Sequence, residues 1–410
     1  MSWAYRTGFE WQSLVAGVEY TEVIGSPTID TTIKRSGSAS LHVGGSIPTA
    51  EYWGWDHNIT ALATGWYRWG FYIDNQNDDA NVATTFDLFL TAANAITCQI
   101  VRSGSSYTAE VFINDYATSI GTFSAGIDGW HVLEIYYDTS PADGSEKVTV
   151  RYDGSDQITR TNLTLTSKTI NNIQCGVYNG TAGAITGTDV YFDDIGVNNS
   201  SGSVNNSWCG LGKIVMALPT GAGDSAATTG IYSYINEVPP SNTATSGSTM
   251  VELDTNGTIA EYAMTDSSTL GIDSYDTIVG IQVMARVREE NTTGAPSAYT
   301  LRIKSASGGT VQATGSVDAG NATARTNPNA TTAFGNMLIS ETDPTTGVAW
   351  TPTGTNSWDN AQCGGASQDD TPDVWFLALA AMIEYQEGSP PGGSVVKDII
   401  GGFGIIPFAR

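Results

Sequence analysis

The chain has 410 residues, of which only 14% are charged, and its formal net charge is -25. Such a polyanion repels a phosphate backbone and shows no basic stripe to offset the repulsion, which excludes nucleic acid as a partner. No apolar run reaches membrane-spanning length, and the abundance of Gly, Ser, Thr and Asn suits short strands and many turns, not long helices.

In chain order, "MSWAYRTGFEW" lacks a basic stretch followed by an apolar one, so no secretory signal is expected. "SGSASLHV" (36–43) predicts a turn and then a strand. "YWGWD" (52–56) reads as a loop whose Tyr52, Trp53 and Trp55 either stack on sugar rings or belong to the core, since both uses suit aromatic faces. "GWYRWGFYI" (65–73) alternates, with Tyr67, Trp69, Phe71 and Ile73 on one side. "DNQNDD" (74–79) clusters hard oxygen donors, so Asp74, Asp78 and Asp79 are the candidate calcium ligands, with plain solvated turns as the alternative. "FDD" (192–194) is a second such cluster.

Three further strands, "TTFDLFLTA", "ITCQIVR" and "YTAEVFI", precede the clearest local signal, "GWHVLEIYYDTSPADGSEKVTVRYDG" (129–154). Leu133, Ile135 and Tyr137 share one face of its first strand; Val148, Val150 and Tyr152 share one face of its second. Pro141 and Asp143-Gly144 between them predict a hairpin turn. Strands "IQCGVYN" (173–179) and "TDVYFDDIGVNN" (188–199) close this first unit.

A Ser/Asn/Gly linker covers 200–207, and a second β-rich unit covers 208–386. Its strongest strand is "DTIVGIQVMARVREE" (276–290), with "AYTLRIKS" (298–305) as the expected hairpin partner. "DVWFLALAAMIEY" (373–385) is a continuous apolar run, expected as a central strand. Residues 387–410 read as an extended tail after the Pro390-Pro391-Gly392-Gly393 breaker. Val395, Ile399, Phe403, Ile405 and Phe408 make it apolar, so it packs on its own domain or reaches into a neighbouring subunit. The predicted fold class is all-β: two tandem β-sandwich (jelly-roll) domains, 1–199 and 208–386, plus this tail.

Catalytic signals are weak. Glu134 and Asp138 share a face about 13 Å apart by strand rise, too far for a retaining glycosidase, and Glu134 is expected to face solvent. The three histidines accompany no G-x-S-x-G elbow, and His131 is expected to be solvent-facing. "GAGDSA" (221–226) matches a dinucleotide loop only in its glycines, with no βαβ context, and reads as a turn. Cys98, Cys175, Cys209 and Cys363 stand far apart and read as buried free thiols.

The ordered set "GFEW", "RSGSASLHV", "WYRWGFYI", "GWHVLEIYYD", "KVTVRYDG" and "VYFDDIGVNN" resembles the concanavalin A-like (laminin G-like) jelly roll over residues 5–199. The compact acidic strand motif of that family's glucanases is absent, which implies lectin-like binding or an architectural role. "NNSWCGLGKIVMALPTGAGD", "YINEVPPSNT", "YDTIVGIQVMARVR" and "ETDPTTGVAW" resemble a module that follows this jelly roll in bacteriophage virion proteins. The resemblance implies a non-enzymatic virion component, made in the host cytoplasm, forming a homo-oligomer and touching other virion proteins. A host surface glycan is the alternative ligand. No cofactor is expected beyond the candidate calcium.

Overall fold

A computed structural model of the chain describes residues 3–12, 21–75, 82–90, 93–103, 106–126, 129–166, 168–180, 184, 188–201, 204–225, 231–236, 238, 250–289, 298–318, 337–368 and 374–389. Asp78, Asp79 and the tail residues Val395, Ile399, Phe403, Ile405 and Phe408 lie outside these. The described chain is all-β, its only helices being short 3-10 turns. No described helix is long and apolar enough to cross a membrane.

The strands of the first sandwich are β1 (Trp3–Thr7), β2 (Glu22–Ile24), β3 (Thr28–Asp30), β4 (Ser40–Val43), β5 (Tyr52–Leu62), β6 (Thr64–Asn75), β7 (Val82–Leu90), β8 (Ala93–Ser103), β9 (Ser106–Ile113), β10 (Thr118–Ala125), β11 (His131–Asp138), β12 (Glu146–Tyr152), β13 (Ser155–Leu163), β14 (Ile170–Asn179) and β15 (Thr188–Asn199). One sheet runs β13-β12-β11-β6-β15-β4-β3, with β1 also on β15; the other runs β10-β9-β8-β7-β14-β5-β2. The inward residues of each strand interdigitate between the sheets. Phe86 of the second sheet meets Trp69 and Phe71 edge-on at 5.7 and 5.0 Å, and Phe192 at 5.8 Å. Such edge-to-face contacts add to the area buried.

The predicted hairpin forms as β11 and β12, in the register Leu133↔Tyr152, Ile135↔Val150 and Tyr137↔Val148. Its turn is closed by Ser145 N–H donating to the Ala142 carbonyl, with Gly144 in the left-handed region at φ 81°. The opposite face is drier than expected. Glu134 is enclosed, not solvent-facing, because in register it lies between Arg68 and Arg151. His131 is half-buried, its Nδ1 2.8 Å from Asp153 Oδ2.

The second sandwich uses β16 (Lys213–Ala217), β17 (Pro219–Ala222), β18 (Val251–Leu253), β19 (Ile259–Met264), β20 (Thr277–Glu289), β21 (Ala298–Lys304), β22 (Gln312–Ala313), β23 (Val317–Asp318), β24 (Met337–Ser340), β25 (Gln362–Ser367) and β26 (Val374–Gln386). β26 is central in the sheet β16-β26-β20-β24, as its unbroken apolar run implies. Both its faces are dry. Leu379, Ala381 and Ile383 join the inter-sheet core, while Ala378, Ala380 and Met382 pack with Trp11, Ile214 and Met284. β21 is not the hairpin partner of β20: it pairs with β25, β22 and β23 in the other sheet. Chain proximity favours a hairpin, but both strands bury an apolar face, and placing them in opposite layers lets those faces meet.

The described residues divide into two compact units, one holding Met1–Glu22, Ile29–Ser40 and Asp193–Gly388, the other Val23–Thr28 and Leu41–Phe192. All four cysteines are free and buried. Burial pushes the Cys98, Cys175 and Cys363 thiols up, away from reactivity.

Candidate functional site

The site is assembled by strand register. Across β5, β14, β7, β8 and β9, one row reads Trp55, Cys175, Phe86, Cys98 and Val111; all are fully buried and face the core. Side chains alternate, so the adjacent row must face the other way. It reads Asp56, Gln174, Asp87, Thr97 and Phe112. The next outward row reads Gly54, Gly176, Thr85, Gln99 and Glu110. Beyond the first lie Asn58 and Asn172, paired across β5 and β14.

Gly54 and Gly176 leave a slot that the Tyr52 side chain fills. A Cβ at either glycine would come within 2.5 Å of the Tyr52 hydroxyl. That hydroxyl is aimed between Thr85 and Gln174 without a hydrogen bond of normal geometry. Asn172 Oδ1 is likewise buried without a partner, whereas Thr85 lies against the Asp87 carboxyl. Two such atoms on one small face are unusual, because a buried polar group without a partner costs about 1–3 kcal/mol.

The floor has a carboxyl at its centre. Thr97 Oγ1 donates to Asp87 Oδ1 at 2.5 Å, and Asn172 Nδ2 donates to Asp56 Oδ2 at 3.3 Å and to Asn58 Oδ1 at 3.0 Å. Burial raises the Asp87 carboxyl to about 7, against the opposing hydrogen bonds from Thr97 and Thr85. Asp56 and Asp87 flank Gln174, two inter-strand spacings or about 9.6 Å apart.

Aromatic rings rim this floor. Tyr178, outward on β14 in the row of Tyr52, is 37% exposed, and Tyr116 is 41% exposed. Tyr116 sits in the β9–β10 turn, where Asn114, Asp115 and Tyr116 are all left-handed, at φ 57°, 58° and 63°. Asn and Asp tolerate that region; a tyrosine there is strained. The strained turn sets its ring 5.7 Å from Phe112 and its hydroxyl toward Thr97 and Gln99. Burial and then the nearby Asp87 push the Tyr116 phenol up to about 12. The face thus offers amide and hydroxyl groups, able to donate and accept, between exposed aromatic edges. That chemistry suits a polyhydroxylated ring.

The predicted glycan triad separates. "YWGWD" is the start of β5, not a loop. Its alternation sends Trp55 into the core and Tyr52 to the outward face, while Trp53 is half-buried over Gly25, whose Cβ would fall 2.3 Å from the indole. Of the calcium candidates, Asp74 is the penultimate residue of β6, and Asp78 and Asp79 are outside the described residues. Among the described residues no three His, Cys, Asp or Glu side chains are arranged to hold a metal ion.

"FDD" is not a solvated turn, since Asp193 and Asp194 are fully buried on β15. Arg35 donates to Asp194 at 2.5 Å, Arg35 N–H and Ser36 N–H donate to Asp193, and Ser38 N–H donates to Glu10. Burial, then Asp194 and Glu10, hold the Asp193 carboxyl well above its ordinary range. "GAGDSA" starts inside β17, which ends at Ala222, and bends at residues 224–225; Lys304 ion-pairs with its Asp224, holding that carboxyl low.

No family model matches the chain, and no curated protein matches it. Among solved structures, endo-β-1,4-glucuronan lyase from the fungus Trichoderma reesei aligns at 11% identity over 48% of this chain and 96% of that one, with a TM-score of 0.36. The cellulose-induced protein Cip1 aligns at 15% identity over 50% of this chain and 99% of that one, with a TM-score of 0.35. The CBM2 module of the evolved Dit of Lactobacillus casei BL23 phage J-1 aligns at 13% identity over 48% and 95%, with a TM-score of 0.31.

Proposed function

We propose that the outward face of the β5-β14-β7-β8-β9 sheet binds glycan, and that the chain is a non-enzymatic attachment component of a bacteriophage particle. The observation that carries the binding reading is the face itself: amide and hydroxyl side chains of Gln174, Asn172, Gln99 and Thr85, with Tyr52 Oη and Asn172 Oδ1 lacking partners, lie between the exposed rings of Tyr116 and Tyr178. Neutral groups that both donate and accept, set between aromatic rings, match the hydroxyls and the apolar face of a sugar ring. The resemblance of residues 205–350 to a virion module supports the particle setting.

The binding reading is tested by titrating the full chain against a library of surface polysaccharides. Gln174→Ala and Asn172→Ala should each weaken the best binder by about tenfold, one lost hydrogen bond in a dry site being worth roughly that. Wild-type affinity in both variants overturns the site. Asp87 is closed from solvent and already held by Thr97, which favours binding over hydrolysis. Release of reducing ends from a bound polysaccharide would overturn the non-enzymatic part.

A second reading, a purely architectural virion protein working through contacts with its neighbours, is favoured by the apolar sequence of residues 395–408. Hundreds of copies per purified particle, with incorporation lost on deletion of residues 388–410, would support that reading. A handful of copies supports attachment.

A further inference from the structure

The charge on the same face selects among glycans; this inference rests on the glycan-binding reading above. Within its seven strands the acidic residues are Glu22, Asp56, Asp87 and Glu110, and Arg102 is the sole Lys or Arg. Arg102 does not serve the face. It shares the parity of Cys98 and Ile100, on the core side, and its guanidinium lies 6.0 Å over the Tyr107 ring.

The connecting segments 76–81, 91–92, 104–105, 114–117 and 180–187 contain no Lys or Arg either. Lys168, just before β14, is paired with Asp143 and Glu146. A carboxylate, sulfate or phosphate on an incoming sugar would therefore meet Glu110 at the rim, above the buried Asp56 and Asp87, with no Lys or Arg from these strands and segments to neutralise it. Recognition of such groups ordinarily uses Arg or Lys. The formal net charge of -25 adds a long-range repulsion of the same sign.

What the face does supply is neutral hydrogen-bonding capacity. Gln174 and Asn172 carry amides, Thr85 and Tyr52 carry hydroxyls, and each can serve a sugar hydroxyl or an N-acetyl group. We infer that the site takes neutral hexose or N-acetylhexosamine polymers and rejects uronate, sulfated and phosphorylated ones.

The test uses the full chain and polymer pairs that differ only in the C6 group: glucan against glucuronan, mannan against mannuronan, galactan against galacturonan. Oligomers of N-acetylglucosamine complete the panel. At low ionic strength at least one neutral polymer should bind, and its uronate counterpart should bind at least about tenfold more weakly, the gap narrowing as salt screens the charge. Glu110→Lys places a cation on the rim and should raise uronate affinity several-fold. Thr108→Lys, at an exposed position on the same side of β9, makes the same test if Glu110→Lys fails to fold. A uronate that binds as well as its neutral partner, or no uronate gain in either lysine variant, overturns this inference and leaves the glycan site standing. Binding to no member of the panel or of the wider library overturns the site itself.

Discussion

At the scale of single residues, Asp87 couples the candidate site to stability. Burial raises its carboxyl from 3.8 to about 7. Below pH 3.8 the group is neutral whether the chain is folded or not, and it imposes no penalty. As pH rises toward 7 the unfolded chain ionises first, so the penalty grows, and it is complete above about 7. Asp87→Asn should therefore stabilise the protein by up to ~4 kcal/mol at pH 8 and by almost nothing at pH 4, read from denaturant melts at both values. An equal effect at the two pH values would show that the carboxyl is not perturbed. Tyr116 is the opposite case, a side chain kept in a strained backbone. Tyr116→Asn should leave thermal stability level or slightly higher, because asparagine tolerates the left-handed region, while glycan affinity falls. The tryptophans of "YWGWD" should separate in the same assay. Trp55→Ala should cost about 3–5 kcal/mol as a core truncation, and Trp53→Ala much less.

At the scale of strands, period-two alternation identifies β6, β11 and β12 in the sequence, and an unbroken apolar run identifies β26, because each buries one or both faces. What alternation could not give was the partner of each strand. β20 and β21 look like a hairpin and lie in different sheets. The site was illegible for the same reason. Gln174 and Asn172 occupy the outward positions where any half-wet strand carries polar residues. Only the pairing of β5, β14, β7, β8 and β9 brings Asp56, Gln174, Asp87, Thr97 and Phe112 into line. The two glycines facing each other on β5 and β14 were the available clue, since small residues at matched positions make room for something above them. That room is narrow. A Cβ at Gly176 would stand 2.3 Å from the Trp53 carbonyl oxygen, so Gly176→Ala should cost about 1–3 kcal/mol. Gly221→Ala, whose nearest neighbour would be 3.8 Å away, should cost little in the same melt.

At the scale of the whole molecule, one ion pair joins distant parts of the sequence inside a single compact unit. Arg6 Nε donates to Glu384 Oε2 at 2.5 Å, with both side chains buried. The same guanidinium donates to the carbonyls of Tyr5 and Val197 and to Asn198 Oδ1. Removing one member of such a pair strands the other charge away from water. Arg6→Ala should cost about 3–5 kcal/mol, whereas Arg151→Ala, which breaks the more open pair with Asp156, should cost under about 1 kcal/mol.

The Arg6–Glu384 pair also sets an order of events during synthesis. Glu384 follows Arg6 by 378 residues, so at roughly 5–20 residues per second a ribosome delivers it some 20–75 seconds later. Until then the guanidinium has no counter-charge from β26, only the earlier acceptors of Tyr5, Val197 and Asn198 and water, and the apolar edges of β16 and β20 wait uncovered for β26. A nascent chain interrupted ahead of that strand would leave the ribosome with sticky flanks and become prey for chaperones and proteases.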